Sequence, residues 1–171
     1  PGSPRSVTID QAQEIQAAVS GLGLIIGLFV NASEQDVESV LNAVPLHMLQ
    51  FHGDETPAFC SQFGRPYLKA IAMNDGVDLL EENNRFHQAS ALLLDSAHGG
   101  QFGGTGITFD WSRVLPEVCD RIVLAGGLNA ENVASAIAQV RPAAVDVSSG
   151  VEHSKGIKDR DKVKAFIDAA R

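Results

Sequence analysis

Short aliphatic runs alternate with amphipathic stretches along almost the whole chain. The runs are Leu24–Val30, Met48–Phe51, Tyr67–Ile71, Ala91–Asp95, Ile122–Ala125 and Ala143–Val147. Their shortness and their content of branched apolar residues predict buried β-strands. Between them, apolar residues recur at i, i+3, i+4 and i+7: Val37, Val40, Leu41 and Val44, then Val133, Ala136, Ile137 and Val140. The chain closes on the same pattern in Val163, Phe166, Ile167 and Ala170. Each set is one apolar stripe of a helix. A further helix, Ile9–Val19, leads the chain with no strand before it. Start signals agree with this division: Thr8 with Gln11 and Ser33 with Asp36 resemble helix caps, and Asn129 suits the start of a later helix. Pro57 fits a helix start and Pro116 a helix end.

Strands separated by helices pair in parallel through right-handed crossovers. An open doubly wound sheet and a closed barrel both satisfy that rule. Six strand–helix units, spaced by roughly 20 to 25 residues, plus a leading helix are what an eight-unit barrel leaves when its beginning is missing. The expectation is an α/β protein, a (β/α)8 barrel in which residues 1–171 form a single domain, N-terminally incomplete. Its first strand, first helix and second strand would be absent from this chain.

Polar residues interrupt the strands at particular places. Side chains two apart share a face, which groups Met48, Gln50 and His52 on one side of the second run. Asp95 ends the fourth run, and Asp146 and Ser148 share a face at the end of the sixth. In a parallel α/β protein the carboxyl ends of the strands carry the active site. Lys69 lies mid-strand instead, and a buried ion pair with Asp146 is the reading its position favours, because an unpaired charge there is costly.

Two glycine-bearing ends follow neighbouring runs: Gly126-Gly127-Leu128-Asn129 after the fifth and Ser148-Ser149-Gly150-Val151-Glu152 after the sixth. Glycine at a strand-to-helix turn lets backbone amides approach an anion, and a helix N-terminus adds a favourable dipole. The pair reads as one phosphate grip. The stretch from Asp95 to Asp110 holds Gly99-Gly100 and Gly103-Gly104-Thr105-Gly106. It is too glycine-rich for a core and has the character of a functional loop. No P-loop lysine or dinucleotide fingerprint accompanies these glycines.

Composition narrows the partners. With a formal charge of −8 and no basic cluster, nucleic acid and anionic membranes are poor partners. A small phosphorylated substrate remains suitable, held by local amides and single arginines. Cys60 and Cys119 show no metal-ligand spacing and read as buried thiols, which points to the cytoplasm.

Gln50-Phe51-His52-Gly53-Asp54-Glu55, Leu94-Asp95, Gly103-Gly104-Thr105-Gly106, Phe109-Asp110-Trp111, Gly126-Gly127-Leu128-Asn129 and Asp146-Val147-Ser148-Ser149-Gly150-Val151-Glu152 stand in the order and spacing of the phosphoribosylanthranilate isomerase family. Ser3-Pro4-Arg5 resembles the loop after that family's second strand. The resemblance implies a TIM barrel and an Amadori rearrangement in tryptophan biosynthesis, N-(5-phosphoribosyl)anthranilate becoming 1-(2-carboxyphenylamino)-1-deoxyribulose 5-phosphate. The reaction is acid–base and uses no cofactor or metal. Asp95 maps to the general acid, and Arg5 to the grip on the anthranilate carboxylate. Gly126, Gly127, Ser148, Ser149 and Gly150 map to the phosphate grip, and His52, Gln50 and Asp146 to the pocket lining. The family's general base, a Cys in a Cys-Gly-Ile motif ending the first strand, has no counterpart here. The 171 residues alone are therefore expected to be inactive and poorly folded. A homodimer, or fusion to another tryptophan-pathway enzyme, is compatible with the resemblance. Two other readings carry less: a lyase resembling indole-glycerol-phosphate synthase, which would want catalytic Lys and Glu at strand ends, and a non-catalytic doubly wound module. His98 and His153 receive no role.

Overall fold

The computed structural model describes residues 3–98, 101–102 and 108–171. The chain divides into two compact units, residues 1–70 with 88–90, and residues 71–87 with 91–171.

The first unit opens with helix α1 (Ile9–Val19), whose N-terminus is a reciprocal capping box between Thr8 and Gln11. Strand β1 (Ile26–Phe29), helix α2 (Glu34–Ala43), strand β2 (Met48–Phe51), the short helix α3 (Pro57–Ser61) and the first part of strand β3 (Tyr67–Met73) follow. Strands β1, β2 and β3 pair in parallel in that order, Phe29 opposite Phe51 and Phe51 opposite Lys69. Ser33 and Thr56 cap α2 and α3 through their hydroxyls, and Pro57 opens α3 as anticipated. Phe51 is the hub of the core, with the rings of Phe29, Phe59, Phe63 and Tyr67 all centred within 6.2 Å of its own. On one face of β1, Ile26 and Leu28 are 42% and 57% exposed.

The second unit contains helix α4 (Leu79–Arg85), strand β4 (Ala91–His98), the two-residue strand β5 (Gln101–Phe102) folded back on it, strand β6 (Ile122–Leu124), helix α5 (Val133–Val140) and strand β7 (Ala144–Val145). A small antiparallel pair, β8 (Glu152–Ser154) and β9 (Ile157–Lys158), leads into helix α6 (Arg160–Ala169). β4, β6 and β7 pair in parallel, Leu94 opposite Leu124 and Leu124 opposite Val145. Leu92, Leu93 and Leu94 are all buried, so β4 is covered on both faces, as a strand of a parallel sheet is.

Several expectations need correction. The first strand is Ile26–Phe29, shorter than Leu24–Val30, and the last shrinks from Ala143–Val147 to Ala144–Val145. The third and fourth extend to Met73 and His98. Asn129 does not cap α5; its side chain accepts from Glu131 and Asn132 one turn earlier, and Asn132 stands at the cap position without a side-chain capping bond. Pro116 ends no α-helix. It lies between two 3-10 turns, Trp111–Arg113 and Cys119–Arg121. The expected Gly99-Gly100 and Gly103-Gly104-Thr105-Gly106 loop falls outside the described residues.

Candidate functional site

In the second unit, polar groups gather where β4, β6 and β7 end. Asp95 follows the three buried leucines of β4 and is only 7% exposed; its Oδ1 accepts the backbone N–H of Ser96 at 2.8 Å. Beyond β6 the chain turns through Gly126 and Gly127, at φ of 76° and 67°. That left-handed region strains residues with a side chain. Space imposes the same choice at Gly126: a Cβ there would run into the backbone N of Ser96 and lie 2.9 Å from Asp95 Oδ1. The carboxyl and the glycine turn are therefore in direct apposition. The turn is braced from behind, because the Asn132 amide donates to the Gly127 carbonyl at 3.0 Å and Asn132 Oδ1 accepts from Asn129 N at 2.9 Å.

The loop after β7 meets that turn. A Cβ on Gly150 would run into the Leu128 carbonyl oxygen and sit 3.2 Å from Asn129 Cα. Asp146, first beyond β7 and exposed, donates its backbone N–H to Leu124 O at 2.8 Å, which keeps it in step with the end of β6. Ser148, Ser149 and Gly150 follow and are half-buried. Five residues expected to form a phosphate grip and the expected acid thus lie along one rim of a single unit. A protonatable carboxyl beside close-set main-chain amides suits acid–base chemistry on an anionic substrate.

The ends of the strands in the first unit are organised differently. Gln50 is buried and His52 half-buried, with His52 Nδ1 3.2 Å from Gln50 Oε1. Lys69, expected to pair with Asp146, has Glu55 as a partner at 3.3 Å, with both side chains 4% exposed or less. The ammonium also donates to the carbonyls of Phe51, Gly53 and Ala70. Glu55 in turn accepts the backbone N–H groups of Asn31 and Gly53 at 2.8 and 2.9 Å, and Asn31 Oδ1 accepts from Asp54 N. Nothing in the sequence signals this clamp, because most of its partners are backbone atoms that no side-chain pattern records. Arg5 is exposed ahead of α1, its backbone N donating to Ser3 Oγ.

Neither cysteine is placed to act as a base. Cys60 is buried on α3, and burial pushes its thiol up to about 11, opposed by Lys69 and reinforced by Glu55. It is protonated at neutral pH. Cys119, only half-buried and so not the buried thiol expected, precedes β6 at the end opposite Asp95. Among the described residues no group of three or more His, Cys, Asp or Glu could hold a metal, and no helix is long and apolar enough to cross a membrane.

Comparison with known proteins gives this rim its context. Residues 1–169 match the family model described as N-(5'-phosphoribosyl)anthranilate (PRA) isomerase. Over 169 residues the chain is 51% identical to the N-(5'-phosphoribosyl)anthranilate isomerase of Stutzerimonas stutzeri strain A1501, covering 99% of this chain and 82% of that one. The isomerase of Pseudomonas syringae pv. tomato is 52% identical with the same shares covered. The crystal structure of phosphoribosyl anthranilate isomerase from Thermotoga maritima superposes with a TM-score of 0.88 at 38% identity, covering 99% of this chain and 83% of that one. An isomerase crystallised with reduced 1-(o-carboxyphenylamino)-1-deoxyribulose 5-phosphate superposes at 0.84 with 36% identity, over 99% and 82% of the two chains. With a family model spanning nearly its whole length and relatives identical at half of its positions, this chain belongs to the N-(5'-phosphoribosyl)anthranilate isomerase family.

Proposed function

We propose that the family's reaction, isomerisation of N-(5-phosphoribosyl)anthranilate in tryptophan biosynthesis, runs here with Asp95 as the general acid beside a main-chain phosphate grip. The observation that carries this reading is the apposition of the Asp95 carboxyl and the Gly126 turn, with Gly150 packed on Leu128. The substrate's phosphate is held by amides of the 126–127 and 148–150 turns, which fixes the sugar. Asp95 gives its proton to the furanose ring oxygen, and the ring opens to a Schiff base at C1. Loss of the C2 proton to a base yields the enolamine, which tautomerises to the ketose. Apart from cleavage of the C1–O bond on ring opening, the steps are proton transfers. The oxidation of C2 is balanced by reduction of C1 within the substrate, so no external oxidant or reductant is called for. Arg5 is the candidate for the anthranilate carboxylate, for which a guanidinium fork is suited, and His52 and Gln50 in the first unit and Asp146 in the second are candidate substrate contacts.

The base comes from neither Cys60 nor Cys119. We propose that it enters on a further strand segment, from this polypeptide or another, paired along the free edge of β1. The side chains of Ile26 and Leu28, exposed together on one face of β1, support a covering segment there. Phosphoribosyl anthranilate isomerase from Thermotoga maritima is described as dimeric, and a homodimer is proposed here on that likeness. A cytoplasmic location fits a biosynthetic activity.

The test is loss of substrate fluorescence during turnover in the full natural polypeptide. Asp95→Asn keeps the shape and the Ser96 hydrogen bond but holds no transferable acid proton. It should lower kcat by about 10² to 10⁴, the usual worth of a positioned general acid. Near-normal turnover would remove Asp95 from this role.

A further inference from the structure

Ser148 closes the phosphate turn with dihedrals, φ −119° and ψ −82°, that are neither helical nor extended. The 3-10 turn Ser149–Val151 that it caps holds the Ser148–Ser149 peptide through a single long hydrogen bond, so the other partner of the Ser148 carbonyl matters. That oxygen accepts from Lys158 Nζ at 2.8 Å and only weakly from Val151 N at 3.4 Å. The same ammonium lies 3.5 Å from Ser148 Oγ and 3.1 Å from Glu152 Oε1. Glu152 is itself fixed, its side chain 5% exposed while that of Lys158 is 48% exposed, and its carbonyl accepts from Lys162 Nζ at 2.9 Å. In a planar trans peptide the C=O and the following N–H point in opposite directions. Holding the Ser148 carbonyl on Lys158 therefore holds the Ser149 N–H pointing the other way.

We propose that Lys158 is a positioning residue for the phosphate grip: anchored on the buried Glu152 carboxylate, it fixes the Ser148–Ser149 peptide plane so that the Ser149 N–H faces the substrate's phosphate. This rests on the phosphate reading of the 148–150 turn and deepens it. The alternative for a lysine so near the turn is direct charge attraction to the phosphate. The two roles give Glu152 opposite signs. As an anchor, Glu152 strengthens phosphate binding by holding Lys158 on the carbonyl. As a neighbouring anion, it weakens binding by neutralising the ammonium.

The experiment uses the full natural polypeptide and three readouts: kcat and KM for N-(5-phosphoribosyl)anthranilate, the Ki of inorganic phosphate as competitive inhibitor, and the melting temperature. Lys158→Met should raise KM and the phosphate Ki together, by about tenfold for a lost hydrogen bond from a charged donor, with kcat within about twofold. Lys158→Arg, which retains a cationic donor, should recover most of the loss and keeps the test available should the methionine variant fold poorly. Glu152→Gln should raise both constants by a smaller factor. A fall in KM and Ki in Glu152→Gln would overturn positioning in favour of direct attraction. Unchanged constants in Lys158→Met, with wild type still inhibited by phosphate, would overturn the role of Lys158 alone. Absence of competitive inhibition by phosphate in wild type would instead sink the phosphate reading beneath it.

Discussion

Each unit has a lysine–glutamate pair at the carboxyl ends of its strands, and the two pairs do different jobs. In the first unit, Lys69 and Glu55 are both buried and are surrounded by backbone acceptors and donors from three successive strand ends, Asn31 included. Everything there is satisfied internally, and the result is a rivet. In the second unit, Glu152 is buried but Lys158 is half open to water, and the pair holds one carbonyl of the 148–150 turn. Burial is the difference. A charge removed from water must be bonded fully by the protein, whereas one left at the surface has capacity to spare for shaping a loop.

The largest effect that tests this contrast comes from the buried pair. Lys69→Met leaves the Glu55 carboxylate buried without its cation, and loss of one partner from such a pair destabilises by about 3–5 kcal/mol. Urea unfolding should show it as a much lower midpoint, while Lys158→Met unfolds near the wild-type midpoint. Equal midpoints for the two variants would break the comparison.

A smaller effect separates the rims by glycine. Gly126→Ala and Gly64→Ala both force a side chain into left-handed backbone, costing about 1–2 kcal/mol each. Nothing lies within 4 Å of a Cβ at Gly64, whereas one at Gly126 would press on Asp95 and Ser96. Turnover should therefore fall sharply in Gly126→Ala and stay close to wild type in Gly64→Ala, and the melting temperature should drop further in Gly126→Ala, where the Ser96 backbone must also shift. Parallel losses of activity would argue that the Gly126 turn has no special relation to the acid.

The smallest concerns acid. Helices of the first unit are capped by hydroxyls, Thr8, Ser33 and Thr56, while in the second Asp78 and Asp159 cap α4 and α6 and Asp110 caps the 3-10 turn Trp111–Arg113. The backbone N–H of Lys162, then that of Asp161, holds the Asp159 carboxyl below the usual range. Ser112 does the same for Asp110, through its hydroxyl first and its backbone N–H second. A carboxyl with a lowered folded pKa stabilises fully above its unfolded value, about 3.9, and that stability fades as pH falls below it. The protection of α6 amides, taken relative to their intrinsic exchange rates at each pH, should accordingly fall below about pH 4, and Asp159→Asn should reduce that acid sensitivity. An equal loss of protection in α2 would place the acid response elsewhere.

The alternation of apolar runs and striped helices was enough to foresee six parallel strands, because burial on both faces demands continuous apolar residues and a crossover helix must be amphipathic. Thr8, Ser33 and Pro57 were legible for a similar reason: caps are local chemistry between residues three apart. Asp95, the glycine turns and the Ser148-Ser149-Gly150 turn could be named as candidates, since charge or glycine at a strand end is conspicuous in one dimension. Their apposition could not. It depends on the register of β4, β6 and β7, which side-chain packing decides. The partner of Lys69 was misread for the same reason, as a strand lysine reaches any carboxylate the fold brings near, and Glu55 with three backbone carbonyls surrounds it. Lys158 carried no signal at all: its role depends on the direction of one peptide plane, a property of tertiary geometry that residue identity does not encode.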